Sequence, residues 1–294
     1  MTEYTASETD DRLDSSNDVR SGQSIELLKE LHILTREGRL NQDSRRKLKQ
    51  INHLTQFIEP LLKGIPRDIQ LVDHGAGKSY LGFILYDRLF KELKGQGHIF
   101  GIESRQDLVE KSRLLAERLG FTGMSFLHQT VAASISSELL PDTVDVVTAL
   151  HACDTATDDA IRFALRKQAQ FIMLVPCCQA EVASVLKKNK GRALKNSLTE
   201  IWRHPIHTRE FGAHVTNVLR CLQLEAHGYQ VTVTELVGWE HSMKNELIIA
   251  RRQDQTGHRT TQRLRELLQT LGLEELQGRF LLDQTIEPGI SSSI

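Results

Sequence analysis

The stretch Leu71-Val72-Asp73-His74-Gly75-Ala76-Gly77-Lys78-Ser79-Tyr80-Leu81 constrains this chain more than any other. An apolar run from Ile69 to Val72 ends in an acid, two glycines follow in a G-x-G spacing, and an amphipathic segment then begins. That order reads as strand, tight turn and helix, the arrangement by which α/β proteins bring backbone close to an adenosine-type cofactor. Glycine suits the turn because a Cβ would obstruct both its dihedrals and the approach of a ligand. The pair alone is a weak signal. Its position after a strand, with Glu103 closing a second apolar run, strengthens it.

The flanking sequence supplies the rest of such a fold. Residues 1–23 are rich in Ser, Thr, Asp and Glu and read as a disordered tail. Residues 24–67 read as a helical extension: Ile25 to Leu34, then Arg45 to Leu62 with Leu48, Ile51, Leu54, Ile58 and Leu62 in steps of three and four, stopped by Pro66. Alternation follows over residues 68–252, with strands expected at 69–73, 98–103, 124–128, 143–150 and 170–175 and helices at 79–93, 106–119, 155–167 and 179–189. Strands alternating with helices imply a parallel sheet covered on both faces. After a basic stretch, a helix from about Gly212 leads to strands at 229–237 and 246–250, close enough to form an antiparallel hairpin. Residues 253–294 read as one helix and a loose tail. The expected fold is thus α/β, a seven-stranded Rossmann-like sheet, mostly parallel with an antiparallel last strand, preceded by a helical extension.

Composition narrows the setting. The four cysteines, Cys153, Cys177, Cys178 and Cys221, show no paired spacing, and adjacent Cys177 and Cys178 make poor disulfide partners, so reduced thiols and a cytoplasmic location are expected. The polar, acidic start is unlike a signal peptide, and no apolar stretch approaches the roughly 20 residues of a membrane span. A net charge of −1 means that any surface for nucleic acid is local. Lys187, Lys188, Lys190, Arg192 and Lys195, near Arg203, His204, His207 and Arg209, would suit phosphates at a substrate rim, although such a run is more often a solvated face. Aromatics are scarce, which argues against a stacking platform for single strands.

With its G-x-G turn after the first strand and its closing antiparallel pair, the segment from Ile69 to Arg251 resembles the class I S-adenosylmethionine-dependent methyltransferases. The resemblance is sharpest at His151-Ala152-Cys153-Asp154-Thr155-Ala156-Thr157-Asp158, at Pro176-Cys177-Cys178-Gln179 and at Lys244-Asn245-Glu246. Together with the glycine turn, these are similar to a branch containing the methyltransferase region of the glutathione S-transferase C-terminal domain-containing protein and rRNA-methylase-like relatives. The resemblance implies S-adenosylmethionine as cofactor. It places the methionine end along Asp73, His74, Gly75, Ala76, Gly77 and Tyr80, the ribose on Glu103, and the adenine near Ser104, Gln129 and Thr130. Two positions depart from the family pattern: Ser79 replaces a third glycine, where it would suit a helix cap, and Gln129 replaces an acid.

The fold places ligands beyond the carboxyl ends of the strands, where strand order reverses, so Asp73 and the segment from His151 to Asp154 should face one crevice. Methyl transfer needs the acceptor in line with the bond that breaks and, where the acceptor carries a proton, a group to take it. His151 could be that base or line the cofactor. Asp154 could orient base or substrate, or cap the helix from Thr155. Cys177 and Cys178 stand where RNA cytosine-5 methyltransferases carry an attacking thiolate, yet lining or packing would equally account for them. A zinc site using His151 and His204 lacks any Cys-x-x-Cys spacing, and no metal is expected. RNA is the expected acceptor, through a nitrogen or ribose oxygen. The alternatives are a protein or small-molecule acceptor, a non-catalytic cofactor-binding module, and a nicotinamide oxidoreductase. The last is disfavoured by Tyr80 at the final glycine of G-x-G-x-x-G.

Overall fold

A computed structural model describes residues 23–40, 42–65, 68–93, 96–150, 152–177, 179–189, 197–236, 246–253 and 258–282. Residues 1–22 of the expected disordered tail, and the expected site residues His151, Cys178, Lys190, Arg192 and Lys195, lie outside this set, whereas Gln23 is described and buried.

Two helices come first, α1 (Ile25–Glu30) and α2 (Gln42–Lys63). The side-chain oxygen of Ser24 caps α1 by accepting the Leu27 N–H at 3.2 Å. The sheet strands are β1 (Ile69–His74), β2 (Gly97–Glu103), β3 (Met124–His128), β4 (Val146–Ala149), β5 (Phe171–Leu174), β6 (Tyr229–Glu235) and β7 (Glu246–Arg252). Between them run α3 (Tyr80–Arg88), α4 (Gln106–Arg118), α5 (Val131–Ser134), α6 (Thr155–Arg166), α7 (Glu181–Lys188) and α8 (Pro205–Ala226), and α9 (His258–Thr270) and α10 (Gln277–Phe280) follow the sheet.

The seven strands form one sheet in the order β3-β2-β1-β4-β5-β7-β6. All neighbouring pairs are parallel except those made by β7, which inserts between β5 and β6 and runs antiparallel to both. The closing hairpin is therefore threaded backwards, its second strand lying inside its first. Strand order reverses between β1 and β4, the position at which such sheets take their ligands.

Burial on both faces explains why β1 is a continuous apolar run rather than an alternating one. Leu71 packs on one side with Phe83, Ile84 and Leu85, and there Leu27, Leu28, Leu48, Leu54 and Ile58 of α1 and α2 join the same core. Val72 points to the other side, into a core with Ile161, Phe163 and Ala164 of α6. A third cluster, with Trp202 at its centre, joins α7, α8 and α9.

Several elements depart from the sequence expectation: α1 stops at Glu30 rather than Leu34, β4 covers only Val146–Ala149 of the expected 143–150, and two helices differ more instructively. Helix α3 ends at Arg88, and a short 3₁₀ turn over Phe90–Leu93 replaces its last turn. Phe90 is buried there against Gly97, where an added Cβ would lie 2.9 Å from its ring. Helix α8 starts at Pro205, not near Gly212. Proline fits a first helical turn, and Thr208 Oγ1 donates to the carbonyl of buried Trp202 at 2.7 Å. Gly212 is interior: a Cβ there would lie 2.6 Å from that of Ala183, so the glycine permits close packing of α7 on α8. The four-residue α5 lies in a stretch for which no helix is expected from sequence, because one turn carries no periodic signal.

Candidate functional site

A cavity of about 570 Å³ opens at the point of strand reversal. Its wall on one side is Asp73, Gly75, Ala76, Gly77, Lys78 and Tyr80, continued by Glu103, Ser104 and Arg105 after β2 and by Gln129 and Thr130 after β3. The other wall is Leu150, Ala152, Cys153 and Ala156, and Ile51 of α2 closes a further side. The second amino-terminal helix, α2, therefore reaches the site itself.

The turn after β1 carries its dihedrals at three places: φ is +65° at Gly75, +60° at Gly77 and +52° at Ser79. Ser79 thus holds the left-handed conformation that a third glycine would hold, against a penalty of about 1 kcal/mol for an L-residue. It occupies the cap position of α3 without a capping bond, and its buried hydroxyl has no hydrogen-bond partner among the described residues. The expectation of a capping serine is corrected: the residue copies glycine's backbone and leaves its side chain unused.

Asp73 is fully buried beside Thr148, its register partner on β4, whose hydroxyl donates to Asp73 Oδ1 at 2.6 Å. Burial pushes this carboxyl up to about 7, and the Thr148 hydrogen bond opposes the rise only in part. Glu103 shows the opposite balance. Burial alone would raise its pKa, but hydrogen bonds from the Arg105 side chain, the Arg105 N–H and the Gly77 N–H hold it below the usual carboxylate value. Gly77 N donates to Oε2 at 2.7 Å, and Arg105 N and Nε donate to Oε1 at 3.0 Å each. One acid therefore fastens the glycine turn of β1 to the end of β2. Arg105 lies two residues beyond the expected acid, and neither spacing nor a hydrophobic pattern marks it.

His74 requires a correction. Its side chain does not line the cavity: the ring is fully buried on the far side of β1, 4.6 Å from the Phe163 ring. Burial drives its pKa down to about 3, so the ring is neutral. Ser134 Oγ donates to Val131 O at 2.7 Å, which leaves it to accept from His74 Nε2–H at 3.0 Å. Strand alternation explains the outcome, since Asp73 and His74 must face opposite sides of the sheet.

Gln129 and Thr130 lie where expected, on the cavity wall at the end of β3. Gln129 Nε2 donates to Ser137 Oγ at 3.0 Å, while its buried Oε1 has no partner among the described residues. Thr130 Oγ1 caps α5 by accepting the Ala133 N–H at 3.1 Å.

On the opposite wall, Asp154 occupies the cap position of α6 without a capping bond, and His151, the base it was expected to orient, lies outside the described residues. The Asp154 side chain does not line the cavity. Instead, Oδ1 accepts the Ala180 N–H at 3.1 Å, tying the loop after β4 to the loop after β5. Its backbone sits at φ 51°, ψ −122°, a conformation an L-residue holds only when its surroundings enforce it. The enforcement is visible. Arg220 of α8 donates to Asp154 O at 2.8 Å and pairs with Asp158 Oδ1 at 2.7 Å, both side chains almost wholly buried. Asn217 continues the network, accepting from Gln179 Nε2 at 2.8 Å and donating to Glu246 Oε2 at 2.9 Å. Asp154 is a positioning residue in this arrangement. Cys153, within the segment expected to face the crevice but given no role of its own from sequence, lines the cavity, and its Sγ lies 3.1 Å from that of Cys177.

The basic run is only partly described. Lys187 and Lys188 are exposed on α7, and Lys188 is paired with Glu275 at 3.1 Å. Arg209 is paired with Glu210. Among the described residues there is no cluster of three metal-ligating side chains and no helix long and apolar enough to cross a membrane.

The strand order with its reversed β7, the positive-φ glycine turn and the acids closing β1 and β2 are those of the Rossmann-like methyltransferase fold, for which the sequence implies S-adenosylmethionine as cofactor. Residues 46–185 match the family model described as a methyltransferase domain. The bovine (Bos taurus) glutathione S-transferase C-terminal domain-containing protein is 24% identical over 233 residues, covering 73% of this chain and 34% of the relative. Its human counterpart is 25% identical over 167 residues, covering 56% of this chain and 24% of the relative. The chain thus spans about a third or less of these relatives' length. The solved magnesium protoporphyrin IX methyltransferase from Synechocystis, with S-adenosylhomocysteine bound, aligns at 14% identity with a TM-score of 0.45, covering 78% of this chain and 94% of that one.

The cavity suits that cofactor on the chain's own features. Two glycines leave the turn without side chains, Glu103 presents an acceptor carboxylate to the cavity, engaged there among the described residues only by Gly77, Ser104 and the exposed Arg105, and the unpartnered Gln129 Oε1 is an acceptor without a donor.

Proposed function

We propose that this chain transfers a methyl group from S-adenosylmethionine to a nitrogen or a ribose oxygen of RNA. The bound cofactor would supply a methyl group activated on a sulfonium. The chain's own residues do the rest. Gly75 and Gly77 admit the amino-acid end, the anionic form of Asp73 favours its positive charge, Glu103 takes the ribose hydroxyls, and Gln129 accepts from the adenine amine. Positioning dominates such a displacement, so a rigid acceptor wall matters more than a strong base. Asp154, held by Ala180 and Arg220, provides that rigidity.

The observation that carries the RNA reading is the direction of α7. Its amino end adjoins Asp154 through Ala180, and Lys187 and Lys188 lie roughly 11 Å further along the helix. Exposed Lys187, with Lys190, Arg192 and Lys195 following in sequence, supports a reading in which phosphates lie beside the acceptor wall. The relatives' names contain no methyl acceptor, so the acceptor rests on this charge.

Calorimetric titration with S-adenosylhomocysteine, with NAD as control, tests the cofactor half. Micromolar binding of the first alone, lost in Gly75→Arg, is expected; NAD binding alone would overturn it. Transfer of labelled methyl groups to RNA, protein and small-molecule pools tests the acceptor. Label confined to protein or small molecules would sink the RNA assignment.

A further inference from the structure

The sulfurs of Cys153 and Cys177 are 3.1 Å apart although 24 residues separate them in the chain. One follows β4 and the other follows β5. Cys153 is exposed and lines the cavity, and Cys177 is half-buried beside it. Two thiols can share one weak S–H···S bond at this distance. A disulfide needs about 2.05 Å between sulfurs, an approach of roughly 1 Å from here.

The surroundings hold the pair in place. Asp154, next to Cys153, binds the Ala180 N–H three residues beyond Cys177, so the two loops are fastened together on one side of the thiols. Arg220 fixes the backbone of the first loop from behind, and Gln179, bound to Asn217, fixes the second. Pre-organisation of this kind raises the effective concentration of one thiol at the other. It favours ring closure over two separate adducts.

We propose that Cys153 and Cys177 are a reversible dithiol–disulfide pair, oxidised by a low-molecular-weight disulfide, whose closure covalently locks the loops after β4 and β5 at the wall of the cavity. The thiolate of one cysteine attacks the small disulfide, forming a mixed disulfide and expelling one small thiol. The second cysteine then attacks the protein sulfur of that mixed bond and expels the other small thiol. The protein loses two protons and two electrons, and the small disulfide is reduced to two thiols. This pairing is independent of what the cavity methylates.

The full chain is equilibrated with glutathione and glutathione disulfide, quenched, digested with trypsin and mapped by mass. Cleavage after Arg162, Arg166 and Lys167 separates the two cysteines, so their peptides remain joined only through a new bond. The expected product has lost two hydrogens, its midpoint follows the square of the glutathione concentration over that of the disulfide, and dithiothreitol reverses it. Cys178→Ser retains the joined peptides; Cys153→Ser and Cys177→Ser each abolish them. The oxidised protein melts several degrees higher, because the bond restrains the unfolded chain. Glutathione adducts without ring closure, or a linkage that survives in Cys177→Ser through Cys178 or Cys221, would overturn the proposal.

Discussion

The cavity's two walls are held by different kinds of contact. On the side of β1, β2 and β3, the parts are near neighbours: the glycine turn follows directly on β1, Glu103 reaches Gly77 from the adjacent strand, and Gln129 ends the next strand along. On the side of β4 and β5, the loops are held from a distance. Arg220 of α8 reaches back 62 residues to Asp158 and 66 residues to the Asp154 carbonyl, and Asn217 of the same helix reaches back 38 residues to Gln179. A wall of neighbouring strands needs only the sheet to form. The other wall needs α8 docked, the third core closed and β7 inserted before its loops are in place.

If that contrast is real, cutting the long-range tie should produce the largest effect. Arg220→Met leaves Asp158 buried and unpaired, and breaking such a pair costs about 3–5 kcal/mol. Urea unfolding measures the loss, and amide exchange locates it: protection should fall around Asp154 to Thr157 and at Ala180, and remain at Gly77 and Ser79. The double variant Arg220→Met with Asp158→Leu should recover part of the stability, because no lone charge then remains. Equal loss of protection on both walls would erase the distinction.

Asp73 tests the other wall, and it does so through pH. Its carboxyl rises from 3.8 to about 7 on folding, so the native state holds a proton that the unfolded chain has released between those values. Stability from this group is therefore present below pH 4 and is lost as pH climbs through 7. At pH 8 the ligand-free protein carries a buried charge, and Asp73→Asn should stabilise it, on the order of 2 kcal/mol by urea unfolding. The same substitution should weaken S-adenosylhomocysteine binding by ~10- to 100-fold, since a hydrogen bond to a charged group is worth ~1.5–3 kcal/mol. Wild-type affinity should fall as pH drops below about 7, because the anion that favours the amino-acid end is lost. A flat affinity profile between pH 6 and 8 would show that Asp73 does not face the ligand's charge.

Much of the first wall can be read from sequence for the same reason that it is robust. Strand, acid and glycine turn are consecutive, and Glu103 is found by closing the next apolar run. The reading fails where a contact is invisible in one dimension. His74 was grouped with the turn because it adjoins Asp73, but alternation along β1 turns it into the opposite core. Gly212 looked like a helix start because a polar stretch precedes it, whereas the glycine makes room for Ala183 in mid-helix. The Cys153–Cys177 contact has no spacing signature at all. Asp154 stands at the head of α6 as its sequence position implies, but its backbone conformation is held by Arg220, which nothing in the local sequence announces.

A smaller effect is expected at Ser79. Ser79→Gly removes a left-handed L-residue and an unpartnered hydroxyl without altering the course of the turn. Glycine's greater freedom in the unfolded chain offsets part of the gain, leaving a stabilisation of about 0.5 kcal/mol by urea unfolding. Destabilisation beyond about 1 kcal/mol would mean that the hydroxyl has a partner when the protein is in solution.

The finest distinction within the first wall concerns Arg105. Its guanidinium is exposed, yet it engages both oxygens of Glu103, the acid expected to receive the ribose. A ligand arriving at Glu103 must share these oxygens or displace the arginine. Exposed ion pairs of this kind are worth ~0.2–1 kcal/mol, so displacement is a small toll rather than a barrier. Arg105→Ala should accordingly tighten S-adenosylhomocysteine binding about two- to fivefold, while the Gly77 N–H continues to hold Glu103 in place. Glu103→Gln in the same background should reverse the gain, because an amide offers one acceptor oxygen where the carboxylate offers two. Weaker binding in Arg105→Ala would reverse the reading, making Arg105 a support that shapes Glu103 for the ribose rather than a competitor for it.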